Sequence, residues 1–82
     1  MVYVIHTAKG LNDLLNEAAN PSELWLNGEV AISDHVSQLR ATGWNVTIWT
    51  HRFEPTDQKQ LANALTTVRE HHPNKTIWLE QP

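Results

Sequence analysis

His6 and His51 each stand at the end of an apolar, β-prone run, and Glu29 and Glu54 fall in the polar segments nearby. Imidazole titrates near neutrality, so either histidine with Glu29 or Glu54 is a candidate acid–base pair. The same histidines with one carboxylate have the chemistry of a zinc-type site. They come from separate segments, however, and no short motif such as His-x-x-x-His accompanies them, so no metal is expected. A third chemistry is anion binding. Thr7-Ala8-Lys9-Gly10 leads into a helical pattern, and the N–H groups and dipole at a helix start favour negative charge. Arg52 is the cation placed to reach the same ion, and Asn27 is a neighbouring donor. A phosphate loop would read Gly-x-x-x-x-Gly-Lys-Ser/Thr; this segment has a single glycine at the wrong spacing.

Each of these residues also has a plainer explanation. Histidines at strand ends commonly serve as hydrogen-bonded edge residues, Gly10 suits a turn, and an exposed Arg52–Glu54 pair would contribute little. Cysteine is absent, which removes thiolate chemistry and disulfides. Thr7 and Thr50 are hydroxyls without a neighbouring base. With no catalytic motif, no cofactor is expected.

These groups are positioned by alternating strands and helices. Residues 1–6 read as a first strand, and Leu11, Leu14, Leu15 and Ala18 make a helical stripe that Asn20-Pro21-Ser22 stops. Leu24-Trp25-Leu26 is a second strand. A loop at 27–31 and a helix near 33–42 follow, with Ser33 as its cap and Gly43 beyond its end. The competing reading turns a hairpin at Asn27-Gly28, since both residues accept positive φ. Residues 45–50 form a third strand, and 51–55 a loop. Thr56 caps a third helix with stripe Leu61, Ala64, Leu65 and Val68, which ends at His71-His72 before Pro73. Residues 75–80 are a fourth strand.

This order predicts one α/β domain over residues 1–82, with three layers and a four-stranded parallel sheet. The expected strand order is 2-1-3-4, a flavodoxin-like layout whose ligand crevice lies between strands one and three. It puts the first helix on one face and the other two on the opposite face. The hairpin reading gives an α+β fold instead.

Leu24-Trp25-Leu26-Asn27, Ile48-Trp49-Thr50-His51 and Ile77-Trp78-Leu79-Glu80 repeat one frame, which Tyr3-Val4-Ile5-His6 fits without the tryptophan. In matched register, Trp25, Trp49 and Trp78 share one face, each followed on that face by a polar strand-end residue. Beneath two helices they are core. Beneath one helix they expose an apolar patch suited to a partner, an isologous homodimer first. Arg52-Phe53 is a further interface candidate.

The formal net charge is −3, and the six Lys and Arg residues are scattered. Nucleic-acid affinity draws on clustered cations, so none is expected. No apolar run approaches membrane-spanning length, and no signal-peptide pattern opens the chain, which makes cytoplasmic the default location. The favoured function is a small non-enzymatic interaction or regulatory module that self-associates. The alternative is a small enzyme or ligand-binding protein using the crevice around His6 and His51.

Overall fold

The computed structural model describes residues 1–17, 20–32, 35–49 and 51–80; the side chains of Glu29, Ile32 and His35 lie outside that description. Ala18, Ser33 and Thr50, assigned above to a helix stripe, a cap and a strand end, also lie outside the described residues. The chain runs β1 (Val2–Ile5), α1 (Ala8–Glu17), β2 (Glu23–Leu26), a 3-10 helix (Gly28–Ile32), α2 (His35–Ala41), β3 (Asn45–Ile48), α3 (Gln58–His71) and β4 (Ile77–Leu79). Among the described residues, no helix is long and apolar enough to cross a membrane.

Local chemistry accounts for most boundaries. Thr7 starts α1 earlier than the apolar stripe suggests, because its Oγ1 accepts from the Gly10 amide at 3.0 Å and so satisfies one orphan donor of the first turn. Among the described residues, Gly28 and Gly43 are the two with positive φ, 78° and 102°. Gly43 follows α2, where a left-handed residue ends a helix. The cap of α3 is Asp57 and not Thr56. Asp57 has extended backbone and accepts from the amides of Lys59 and Gln60, whereas the Thr56 hydroxyl donates to Glu54 Oε1.

All four strands are parallel, in the order β3-β2-β1-β4. This corrects the expected 2-1-3-4, and it also excludes the Asn27-Gly28 hairpin, since β2 pairs in parallel with both neighbours. The reason lies in how the second crossover packs. Val30, Ala31, Val36 and Leu39 join Leu11 and Leu14 of α1 in one cluster over Tyr3, Ile5, Leu24, Leu26 and Val46. With α1 and α2 sharing a core, the right-handed path keeps moving outward and puts β3 beyond β2. The direction reverses only after β3. Accordingly Leu65 and Val68 of α3 pack on the other side of the strands, in a cluster with Val2, Val4, Trp25, Trp49, Ile77 and Leu79.

The shared tryptophan row does not form. Trp25 is level with Val4 and with Thr47, and its ring centroid lies 4.9 Å from that of Trp49. In β4, Ile77 pairs with Val2 and Trp78 with Tyr3, one residue away from the register that the repeated frame implies. A one-residue slip sends every side chain to the opposite face. Trp78 therefore stands beside Tyr3, with ring centroids 6.1 Å apart. It is 45% exposed, while Trp25 is 3% exposed.

Candidate functional site

In an open parallel sheet, the ligand crevice lies at the carboxyl ends of the strands, where their order reverses. The observed order moves that point from between β1 and β3 to between β1 and β4. Thr7 and Gly10 at the start of α1 do meet a negative charge there, and it belongs to the chain itself. Glu80, just past β4, places Oε1 2.7 Å from the His6 amide and 3.1 Å from the Thr7 amide. Its Oε2 accepts from the Thr7 hydroxyl at 2.5 Å. A Cβ at Gly10 would land on the Glu80 carboxylate, so any side chain there has to displace it. Thr7 and Gly10, two of the anion-binding candidates, lie against the carboxylate of Glu80, a residue 73 positions beyond Thr7, and this contact ties β4 to β1 and α1.

A second polar cluster lies on the α3 side of the same edge. Asn27 is 2% exposed. Its Oδ1 accepts from the Phe53 amide at 3.0 Å, and its Nδ2 donates to the Phe53 carbonyl at 2.9 Å. Those two bonds fix which end of the amide is which. Nδ2 also lies 3.3 Å from His6 Nδ1, so Nδ1 must be the acceptor and the proton of the neutral ring sits on Nε2. That Nε2–H is buried and has no hydrogen-bond partner among the described residues. Phe53 packs edge-on to the His6 ring, with centroids 5.5 Å apart.

Burial pushes the His6 pKa below its usual value, with the Glu80 and Glu54 carboxylates pulling more weakly the other way. The unfolded chain therefore binds a proton first as the pH falls below about 6.5. Stability contributed by neutral His6 is complete above that pH and declines as the pH drops toward the lower folded-state value. Chemical denaturation from about pH 7.5 down to about pH 5 is expected to show this decline, and His6→Gln to remove His6's share of it. An unchanged slope in the variant would mean that His6 is not held neutral.

The remaining candidates are not gathered into one crevice. His51 is exposed and lines a shallow hollow with Arg52, Phe53 and Gln60, beside Trp49. The guanidinium of Arg52 lies over Gly28, within 4 Å of where a side chain there would begin. Glu54 accepts from the amide and the hydroxyl of Thr56, and its own amide donates to Gln60, so it organises the loop before α3. Glu29 falls in the 3-10 helix. Among the described residues, no three His, Cys, Asp or Glu side chains are arranged to hold a metal ion. Of the interface candidates, Trp25 and Phe53 are buried within the chain, Trp49 is half-buried and Trp78 is exposed.

A groove of about 620 Å³ runs between α1 and β4. Met1, Tyr3, Leu14 and Trp78 supply its apolar lining, and Lys9, Asp13 and Glu17 its charged rim. Of these, only Trp78 and Lys9 stand out as functional candidates in the sequence. The available signal was the spacing of Lys9, Asp13 and Glu17, four residues apart along one helix, beside the apolar stripe.

The scaffold is thus a small parallel α/β sheet whose strand-end polar groups mainly bind the chain to itself, with an aromatic groove at one edge. No protein-family model matches the chain, and no curated protein and no solved structure does either.

Proposed function

We propose that this protein is a small non-enzymatic interaction module, a three-layer α/β domain that self-associates through the groove between α1 and β4. The observation that carries this reading is Trp78, which is 45% exposed beside Tyr3 and near Met1, itself 50% exposed. Large exposed apolar groups gathered in one place mark interaction surfaces, and homodimers with two-fold symmetry are the commonest oligomers. Light scattering over a concentration series tests this reading. The wild type is expected to reach dimer mass, and Trp78→Glu to remain a folded monomer with unchanged far-UV circular dichroism. A wild type that stays monomeric at the highest concentration overturns the proposal.

A second reading, a ligand site at the carboxyl edge, draws on the His6 Nε2–H, which has no partner among the described residues, and on Arg52 nearby. It predicts that acetate or inorganic phosphate saturably shifts the His6 imidazole resonances. Unmoved resonances dismiss it.

A further inference from the structure

The groove's rim contains a feature that the monomer does not explain. Lys9 occupies the first turn of α1 and Glu17 its last residue, with no acidic residue in the first turn and no basic residue in the last. Both charges oppose the helix dipole, which favours anions at the start of a helix and cations at its end. Lys9, Asp13 and Glu17 are spaced i, i+4, i+8, are all exposed, and lie along the flank of α1 that borders the groove. The other carboxylate at the groove, Glu80, is turned onto the His6 and Thr7 amides and the Thr7 hydroxyl. The rim therefore presents a cation at one end and an anion at the other, roughly 12 Å apart at the helical rise.

An isologous interface must be complementary to itself. A stripe that is positive at one end and negative at the other meets that condition when two copies run antiparallel. We propose that the occupant of the groove is a second copy of this chain, docked with α1 antiparallel to α1 so that Lys9 of each copy faces Glu17 of the other. The inference rests on the self-association reading and specifies its geometry. Each helix then lies beside the other copy's Trp78, Tyr3 and Met1, covering the aromatic side of β4 that leaves Trp78 open to solvent in the single chain. The opposed charges find in the partner the compensation that the dipole denies them, and the two dipoles run antiparallel. Near the two-fold axis the Asp13 carboxylates approach each other, so Asp13→Asn is expected to tighten the dimer.

Charge reversal tests the arrangement. Lys9→Glu sets two carboxylates against each other at both contacts, and Glu17→Lys sets two ammonium groups against each other; each is expected to weaken the dimer at least tenfold at low salt. Glu17→Lys also improves the match to the helix dipole, so its loss of association cannot come from a weakened helix. Mixed in equal amounts, the two variants restore opposite charges at both contacts and are expected to form a heterodimer. In that mixed dimer one contact joins the two introduced side chains and the other joins the native Lys9 and Glu17. The double variant Lys9→Glu/Glu17→Lys is expected to dimerise with itself. Sedimentation equilibrium reads every sample, with circular dichroism confirming that each is folded. A wild type that dimerises while the mixture stays monomeric, or single variants as tight as the wild type, overturns this geometry and leaves self-association standing. A monomeric wild type overturns both.

Discussion

Asn27→Ala is expected to lower folding stability by about 3–4 kcal/mol, since it leaves two buried backbone groups without partners at about 1–3 kcal/mol each. Those groups are the amide and carbonyl of Phe53, both served by the one side chain. Phe53 is 7% exposed, so water does not readily replace the lost amide. A domain of this length holds only about 4–12 kcal/mol in total, so the change would remove a large fraction. It corresponds to a melting temperature lower by about 15–25 °C. The damage should spread along the loop, because Phe53 also packs against His6 and Trp49; tryptophan fluorescence should report it. Asn27→Asp is the informative companion. It retains an acceptor for the Phe53 amide but sets an oxygen against the Phe53 carbonyl and His6 Nδ1, so it should be no more stable than the alanine variant. A loss below about 1 kcal/mol in urea melts of Asn27→Ala would show that the loop is held by something other than this clamp.

The second large effect is a reversal of sign. Glu80→Ala is expected to remove about 2 kcal/mol, less than three charge-assisted hydrogen bonds would suggest because Thr7 is open to solvent. Gly10→Ala should also destabilise the wild type. The added Cβ occupies the place of the Glu80 carboxylate, and the loss of that anchor exceeds the gain of about 1 kcal/mol that alanine brings to a helix interior. In the Glu80→Ala background the obstruction is gone, so Gly10→Ala should stabilise by about 0.5–1 kcal/mol. The double-mutant cycle measures the coupling directly. Additive effects, with Gly10→Ala destabilising in both backgrounds, would mean that glycine is required there for a reason unrelated to Glu80.

The candidate site was legible in part. The physics of a helix start drew attention to Thr7 and Gly10 as anion-binding candidates. Their contact with Glu80 was not legible, because β4 reaches β1 only by crossing the sheet. Asn27 was identifiable as a strand-end polar residue, yet its partner is a backbone segment 26 residues away. His6 and His51 looked like a pair because both end strands. The structure buries His6 against Phe53 and leaves His51 on the surface, since β3 lies at the far edge from β4 and two positions from β1.

What the sequence determined by itself is what depends on local periodicity and backbone chemistry. The alternation of strands and amphipathic helices set the element order, and the connections long enough for helices set the parallel sense of the sheet. Gly43 marked the left-handed residue that ends α2. Strand order and register were decided only by tertiary packing. Strands that are apolar on both faces carry no label for their neighbour, so 2-1-3-4 and 3-2-1-4 bury nearly the same residues. The choice falls to whether α1 and α2 share one core, which they do. Register is subtler still. The repeated Ile-Trp and Leu-Trp frame suggested a common alignment, but β4 docks one residue out of step with β1. Because side chains alternate with a period of two, that single step moves Trp78 out of the tryptophan cluster and into the open groove beside Tyr3.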